Sequence, residues 1–504
     1  MMNSMTNSNK KVQKIVIAGG GSAGWMTAAA LSKLLGKNLD ICLIESEEIG
    51  RIGVGEATIP PIRVFNQLLG IDEQDFMRSV QGTFKLGIEF TNWGALGDDY
   101  IHSFGTTGKE CWAAEFQHFW LKGKQQGLTA EFGDYCVELQ AARAGKFFSS
   151  KDSSLNYAYH IDAGLYAKYL HDLSIKHGVQ HIEGIIDDVS IDAQNGHITS
   201  VTLKDGQLIK GDLFIDCTGF SARLIEGALN TGFESYSHLL PCDAAVAVQT
   251  EKSAEPRPYT QSMARDSGWQ WRIPLQHRVG NGLVYCSRFI SDKDAIASLM
   301  NNLESPAITE PRVFKYKTGR RLKGWNKNCV AIGLASGFVE PVESTALHMI
   351  MSSILRLMKL FPHDAISHAN INEYNKQTKE EMERIRDFII LHYKATSRDD
   401  TAFWRYCQNM EIPATLSHRI ELFKDTACVC LTETELFRID SWTQVMLGQG
   451  IIPKHYHQIV DNMSDTELKR FLAGLKQMVD KQVTQMPYHQ QFIDQYSKSV
   501  PITE

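Results

Sequence analysis

Three glycines near the start of the chain are spaced as in a turn that binds a dinucleotide. Gly19-x-Gly21-x-x-Gly24 follows the apolar run KIVIA and precedes a helical pattern. The first glycine of such a turn permits a tight bend, the second lets backbone N–H groups approach a pyrophosphate, and the third lets helix and strand pack closely. Glu45 ends the next apolar run, where a carboxylate can accept hydrogen bonds from ribose hydroxyls. The motif predicts a bound dinucleotide and does not choose between NAD and FAD.

The elements around these residues read as a βαβ unit followed by further strands. KIVIA and DICLIE have the length of buried strands, and AGWMTAAALSKLL between them is helical. Between residues 184 and 219, an Asn-Gly and an Asp-Gly pair separate alternating runs, which predicts a three-stranded β-meander and then the strand LFIDC. CVAIG at 329–333 is a further strand, followed by the helical pattern HMIMSSILRLMKLF. Beyond about residue 360 the pattern is mainly helical, with a capping box at Ser464 and Glu467.

Two of these segments favour FAD over NAD. The run DCTG at 216–219 and the run CVAIGLAS resemble the second and third strand-to-loop elements of two-dinucleotide-fold flavoproteins. In those proteins the third element usually reads Gly-Asp, and its carboxylate binds the ribityl chain. Here Gly333 is followed by Leu334, so we expect FAD to bind weakly.

The predicted fold is α/β (α+β), with two modules. One is an FAD-binding two-dinucleotide-fold module with a β-meander, and the other is a mostly helical substrate-binding module, helical at the C-terminus. The FAD-binding module is discontinuous and takes residues 12–100, 155–235 and 310–360; the substrate-binding module takes residues 101–154, 236–309 and 361–504.

Composition excludes several other classes of protein. The 52 basic and 58 acidic residues are scattered and give a net charge of −6, which does not favour nucleic acid binding. The ten cysteines show no metal-ligand spacing, so we expect no metal and a reduced, cytoplasmic protein. The polar opening MMNSMTNSNKK and the absence of a long apolar run predict neither secretion nor a membrane span.

Several further segments identify a family. The run GWQWRIP contains a W-x-W-x-I-P motif, and other characteristic runs are GVGEATIP at 53–60, FKLGI at 84–88, HSFG at 102–105 and FVEPVEST at 338–345. With these segments the sequence resembles flavin-dependent halogenases of the tryptophan halogenase family. The resemblance covers most of the chain and weakens after about residue 400.

The resemblance implies an enzyme that uses FADH₂, O₂ and chloride or bromide to make hypohalous acid. This oxidant is small and indiscriminate, so it must travel through an internal tunnel to a residue that can hold it. A buried lysine suits this role, because its ammonium can hydrogen-bond the acid or its amine can be halogenated. Lys85 matches the lysine of the family. The chain has no second glycine motif for NAD(P)H, which implies a separate NAD(P)H-dependent flavin reductase as partner.

A carboxylate must accompany the lysine. Electrophilic substitution develops positive charge on the aromatic ring, and the ring then sheds a proton. Glu343 matches the family's carboxylate, whereas the spacing alone does not choose between Glu343 and Glu340. Residue 346 is Ala where relatives commonly have Gly, which matters only if its φ is positive.

The resemblance also assigns contacts to other residues. Trp269 and Trp271 are expected near the flavin, with core packing an equal alternative for each. The remaining expected contacts are, to the cofactor, Ser22, Ala23, Ile186, Leu334, Ser344 and Leu347; to the halide, Thr345 and Ala346; and to the substrate, His102, Phe104 and Phe437.

The expected substrate is an indole-like aromatic. Family members that act on tryptophan hold its head group with a tyrosine pair and an acid, followed by Phe-Trp. The corresponding stretch here has no Tyr-Tyr, and Leu436-Phe437 stands near the Phe-Trp position. Each lost charge-assisted bond is worth about 1.5–3 kcal/mol, so we expect a non-amino-acid indole, or something larger, more than tryptophan itself. The alternatives are a flavin-dependent aromatic hydroxylase and a catalytically silent flavin-binding protein, and a homodimer is a further expectation.

Overall fold

The computed structural model describes residues 11–49, 55–150, 155–252 and 254–500. Gly53 and Val54 of the GVGEATIP run lie outside the described residues. In chain order the strands are β1 Lys14–Ala18, β2 Asp40–Glu45, β3 Gly55–Ala57, β4 Thr83–Lys85, β5 Gly87–Thr91, β6 Asp99–Ser103, β7 Ala158–Asp162, β8 Gln180–Glu183, β9 Ile186–Ile191, β10 Ile198–Leu203, β11 Leu208–Lys210, β12 Leu213–Asp216, β13 Phe233–Ser235, β14 Ala244–Glu251, β15 Thr260–Arg265, β16 Gly268–Pro274, β17 Arg278–Tyr285, β18 Arg312–Lys315, β19 Gly319–Arg321, β20 Trp325–Asn326, β21 Cys329–Ala331 and β22 Gly337–Phe338.

The α-helices alternate with these strands at first and dominate the last third of the chain. They are α1 Ser22–Leu35, α2 Pro61–Leu69, α3 Glu73–Ser79, α4 Phe116–Gln125, α5 Val137–Arg143, α6 Ala163–Lys176, α7 Asp292–Met300, α8 Ala346–Lys359, α9 His368–Lys394, α10 Ala402–Asn409, α11 Ala414–Thr426, α12 Ile439–Gly448, α13 Asp465–Gln485 and α14 His489–Tyr496. No helix within the described residues is both long and apolar enough to cross a lipid bilayer.

A mainly parallel sheet forms the predicted dinucleotide module. Its strand order is β20-β21-β12-β1-β2-β8, and every neighbouring pair is parallel except β20 with β21. β1 is apolar and almost completely buried, as expected for a strand covered on both faces. Helices α6 and α8 contact α1 beside the sheet. The βαβ unit and the strands LFIDC and CVAIG are thereby confirmed.

The meander is also confirmed. β9, β10 and β11 pair antiparallel in sequence order, and β12 then joins the parallel sheet. Between these strands Gly196 and Gly206 have φ of 73° and 87°, the left-handed conformation that turn glycines adopt readily. The capping box that starts α13 is present as well.

A seven-stranded sheet lies beside the parallel one. Its order is β18-β14-β17-β16-β15-β5-β6, antiparallel throughout except for the parallel pair β15 and β5. The segment 236–309 therefore contributes four strands to this sheet, and β5 joins them from the segment expected to bind FAD. One hydrophobic core runs from β1 into α13 and α14. The division into two modules stays a prediction, and its boundary at residue 100 falls within β6.

We predict different effects on stability for substitutions at two glycines of the first turn, Gly21 and Gly24. A Cβ at Gly24 would lie 1.8 Å from the backbone oxygen of Gly19, whereas a Cβ at Gly21 would meet nothing within 4 Å. Gly24→Ala should therefore lower the free energy of unfolding by at least about 1–3 kcal/mol. Gly21→Ala should change it by less than about 0.5 kcal/mol, since its φ of −76° suits any residue. Urea denaturation of both variants measures this, and equal stabilities would contradict it.

Candidate active site

The loops that leave the parallel sheet meet at one edge. β1, β2, β12 and β21 run in the same direction, so their carboxyl ends lie together, the usual ligand edge of such sheets. Gly19 donates its N–H to the oxygen of Ile44 at 2.8 Å, and a Cβ on it would strike the oxygen of Cys217. Buried Asp216 accepts from the N–H groups of Thr218 and Leu224, which fixes the adjoining loop.

This edge fits a dinucleotide. Gly21 is the N-cap of α1 and offers no side-chain cap, and the space around its Cα is open. The first N–H groups of α1, including those of Ser22 and Ala23, are therefore available to a phosphate. Glu45 ends β2 next to this turn, and His181 Nε2 lies 3.2 Å from its Oε1. The backbone N–H groups of the turn and the positive end of the α1 dipole therefore point toward the same place, next to the carboxylate of Glu45.

Two other predicted cofactor residues lie on neighbouring elements. Ile186 starts β9 and is buried, and its carbonyl oxygen accepts a hydrogen bond from Arg223 at 2.7 Å. Leu334 is half-buried in a short 3₁₀ turn after β21. The preceding Gly333 has a φ of 72° and lies against Ala23, so this turn adjoins the start of α1.

Lys85 is fully buried at the end of β4. Its Nζ donates to the carbonyl oxygen of Thr58 at 3.0 Å and to Ser344 Oγ at 2.8 Å. The half-buried ring of Phe104 lies 5.2 Å from the same nitrogen. Burial lowers the pKa of Lys85 to about 7, although the nearby charge of Glu343 acts in the opposite direction. The lysine is therefore placed in a dry site, as predicted.

β4 is held from the far end of the chain. The N–H of Phe84 donates to Nε2 of His489 on α14 at 3.1 Å, and Nδ1 of that histidine lies 2.8 Å from the oxygen of Pro256. Burial lowers the pKa of His489 to about 4, so its ring is neutral and can accept. Phe84 also stacks on Phe147 at 4.4 Å. The strand that carries Lys85 thus depends on α14 for its position.

A short turn connects Lys85 to the predicted halide residues. Ser344 has a φ of 58°, and its left-handed backbone directs its hydroxyl to Lys85. Thr345 is fully buried, and its Oγ1 has no hydrogen-bond partner within the described residues. Ala346 and buried Leu347 begin α8 with helical backbone, so the positive φ lies at Ser344 and alanine at 346 is unstrained. An unpaired hydroxyl at a helix start fits an anion.

Glu343 is 1% exposed and lies between two histidines. Its Oε2 is 2.8 Å from His102 Nδ1, and its Oε1 is 2.7 Å from His392 Nε2. Burial by itself would raise the pKa of Glu343, but the charge and hydrogen bond of His102 and the contact with His392 lower it to about 2. Glu343 is therefore a carboxylate at neutral pH, in spite of its burial.

Glu340 has a different environment. It is completely buried, and its Oε2 accepts from the hydroxyl of Tyr393 and from Trp269 Nε1. Burial raises its pKa to about 7, with the two hydrogen bonds opposing the rise. Since Glu343 faces Lys85 and His102 and Glu340 faces a tyrosine and a tryptophan, the geometry favours Glu343 as the second reactive side chain.

The two tryptophans of the W-x-W-x-I-P run differ in burial. Trp269 is 2% exposed and packs near Trp93, whose ring centroid lies 6.2 Å away. Trp271 is half-buried and covers Gly282, where a Cβ would come within 2.0 Å of its indole ring. Core packing thus accounts for Trp269, whereas part of Trp271 remains exposed.

An aromatic wall surrounds His102. The ring of Phe437 stacks on Phe388 with centroids 3.8 Å apart, and Trp442 meets Phe388 edge-on at 4.8 Å. His102 lies 5.6 Å from Phe388 and 6.2 Å from Phe437. This cluster is the candidate surface for an aromatic substrate.

Helix α12 fixes the loop that follows His102. Gln444 Oε1 accepts from the N–H of Ser103 at 2.8 Å, and its Nε2 donates to Thr107 Oγ1. Asp440 accepts from the N–H of Thr107 at 2.8 Å. Sequence reasoning did not identify Gln444, His392 or Phe388, because buried polar or aromatic positions on amphipathic helices give no sign of the partner they meet. Within the described residues there is no cluster of three or more potential metal ligands.

Comparison with known proteins agrees with this arrangement. The family model described as tryptophan halogenase matches residues 14–465. Xcc4156, a flavin-dependent halogenase from Xanthomonas campestris, is 52% identical, with a TM-score of 0.97 and coverage of 98% of this chain and 100% of that one. BrvH, a flavin-dependent halogenase from Brevundimonas sp. BAL3, is 42% identical, with a TM-score of 0.93 and coverage of 97% and 99%. Tryptophan 6-halogenase ThaL from Streptomyces albogriseolus is 32% identical over 95% of this chain and 97% of its own length.

A glycine turn at the carboxyl edge of a parallel sheet, joined to a buried lysine and carboxylate, defines a flavin-dependent oxidoreductase. The chain belongs to the tryptophan halogenase family. It is a flavin-dependent halogenase, and the expected fold class, enzyme class and use of a flavin and a halide are confirmed. The roles of the individual residues remain predictions.

The buried lysine should influence the pH dependence of stability. Lys85 has a folded-state pKa of about 7 against 10.5 when unperturbed, so the unfolded state binds more protons between these values. Its charge penalises the folded state most below pH 7, and the penalty disappears as pH rises toward 10. Lys85→Met should therefore be more stable than the wild type near pH 6, with the difference shrinking toward pH 10. Denaturant titrations across this range measure it, and a constant difference would contradict it.

Proposed function

We propose that this enzyme halogenates an indole-like aromatic that lacks a free amino-acid head group. The observation that carries the proposal is one short turn, residues 343–345, that contacts both the buried lysine and His102 of the expected substrate site. Ser344 Oγ accepts from Lys85, while the preceding residue, Glu343, contacts His102. Thr345, with its unpaired hydroxyl, follows directly. The oxidant side and the substrate side of the reaction therefore meet at three consecutive residues.

The edge of the parallel sheet fits FAD, with the open Gly21 turn for the pyrophosphate and Glu45 for the ribose. FADH₂, delivered by a separate NAD(P)H-dependent flavin reductase, supplies with O₂ the oxidising power that converts chloride or bromide to hypohalous acid. Thr345 Oγ1 and the N–H of Ala346 replace part of the halide's hydration.

Lys85 holds the oxidant. Its burial excludes water and other nucleophiles that would consume hypohalous acid. At its pKa of about 7 both forms are available at neutral pH. The ammonium can donate a hydrogen bond to the oxygen of the acid, or the amine can take the halogen and release water. Ser344 Oγ and the oxygen of Thr58 fix the nitrogen in either case.

Glu343 acts on the substrate. Its carboxylate stays ionised at neutral pH and stabilises the positive ring formed when the halogen adds. It then accepts the proton from the halogenated carbon, whose C–H electron pair restores the aromatic ring. His102 fixes Oε2 toward the aromatic wall.

The substrate class follows from the segment that would hold an amino-acid head group. Both carboxylate oxygens of Glu435 lie 2.9 Å from Arg419, which itself covers the ring of Trp442. The carboxylate of Glu435 is therefore already paired with Arg419 and is not available to bind the ammonium group of an amino acid. A cavity of about 10 Å³, room for about one water, lies between Glu435, Phe437 and Trp442. Within the described part of the chain, no specific contact favours a hydroxylase or a silent flavoprotein.

Two substitutions should separate oxidant formation from its use. Lys85→Ala should abolish halogenation, and Glu343→Gln should lower its rate by roughly 10²–10⁴. Both should still release hypohalous acid, because neither side chain oxidises the halide. The assay supplies reductase, FAD and bromide, and follows halogenated indole and a chemical trap for hypohalous acid in parallel. Halogenation by Lys85→Ala near the wild-type rate would remove Lys85 from its role.

Indole should be a better substrate than tryptophan. The site lacks the tyrosine pair, and Glu435 is held by Arg419, so the zwitterion would lose hydration without compensating partners. We expect a higher kcat/KM for indole, measured by mass spectrometry with both substrates under the same reductase supply. A clear preference for tryptophan would overturn the substrate assignment and leave the family assignment untouched.

A further inference from the structure

The side chain of His392 makes two close contacts, one through each ring nitrogen. Its Nδ1 lies 2.9 Å from the carbonyl oxygen of Phe388, which can only accept. Its Nε2 lies 2.7 Å from Oε1 of Glu343. This close approach of the imidazole opposes the effect of burial on the carboxylate of Glu343. His392 and Glu343 therefore interact directly in the interior of the protein.

The surroundings prevent this pair from rearranging. His392 is completely buried on α9, with the rings of Phe90 and Trp93 at 4.8 and 6.0 Å. Its own backbone oxygen accepts from Gln449 Nε2 at 3.1 Å. The packing of these rings and the contact of Nδ1 with the oxygen of Phe388 together fix the orientation of the imidazole.

We propose that His392 is a positioning residue of the halogenation step, which acts by fixing the carboxylate of Glu343 through the close contact of its Nε2 with Oε1. The remaining oxygen, Oε2, is then left in one orientation, beside His102 and the aromatic wall. The inference rests on the proposed role of Glu343 as the carboxylate that serves the substrate. His392 itself lies on the side of Glu343 away from His102 and acts only through it.

Other titratable groups face the same carboxylate. Lys85 on β4 and His102 on β6 favour its ionised form, and the hydroxyl of buried Tyr100 on β6 also lies within its electrostatic range. Asp440 on α12 interacts with His102. Removal of His392 should therefore raise the pKa of Glu343, because one of the two imidazoles that counteract the effect of burial on this carboxyl is gone.

The test compares His392→Leu with His392→Gln, whose amide can donate to Oε1 but cannot carry a charge. With indole, bromide and a flavin reductase, His392→Leu should lose about 10²-fold in kcat, with KM within threefold of the wild type. His392→Gln should recover part of that loss. In both variants the acid limb of the kcat profile should move to higher pH, because loss of the imidazole raises the pKa of Glu343. Release of hypohalous acid should be unchanged.

His118→Gln is the matched control, since His118 is an equally buried histidine on α4 that contacts Glu115 and not Glu343. It should leave kcat and the pH profile unchanged. If His392→Leu does not fold, His392→Gln carries the test. A folded His392 variant with the wild-type kcat and pH profile would overturn the inference.

A double-mutant cycle separates this inference from the proposed function. If His392 acts through Glu343, then His392→Leu should add little to the loss already caused by Glu343→Gln. Full additivity would assign His392 a purely structural role. Halogenation that survives Glu343→Gln would instead refute the proposed role of the carboxylate, whatever the His392 variants do.

Discussion

A carboxylate with almost no access to water is the constraint on which the site depends. The charge of Glu343 is tolerated only because two imidazoles and an ammonium lie close to it. Removing a charge from water without partners costs many kcal/mol, so these groups cannot be placed independently of one another. The position of each element that carries one of them is therefore fixed by the same electrostatic requirement.

Four distant parts of the chain meet this requirement. β4 brings Lys85, β6 brings His102, α9 brings His392, and the turn before α8 brings Glu343. The seven-stranded sheet holds β6 beside β5, and α9 buries almost all the side chains of its last two turns. The fold thus serves to bring groups of opposite charge from separate segments into one dry volume.

Local patterns in the sequence predicted the local elements well. Glycine spacing and apolar runs identified the βαβ unit, and the Asn-Gly and Asp-Gly turns identified the meander. These signals depend only on residues that are close together in the sequence. The parallel pairing of β5 with β15 joins segments about 170 residues apart, and no local pattern encodes it. For the same reason Lys85 and Glu343 were found through the family's motifs, whereas His392 resembles any other buried position on an amphipathic helix.

The hydrogen bond from Phe84 to His489 has a consequence for biosynthesis. A chain that emerges from the ribosome with its N-terminus first completes the glycine turn and the parallel sheet long before residue 489 is made. Until α14 docks, β4 lacks one of its anchors, and the lysine is not yet in its final place. The parallel sheet can thus form early, while the surroundings of the buried lysine are completed among the last. The order of synthesis therefore separates the assembly of these two parts of the fold in time.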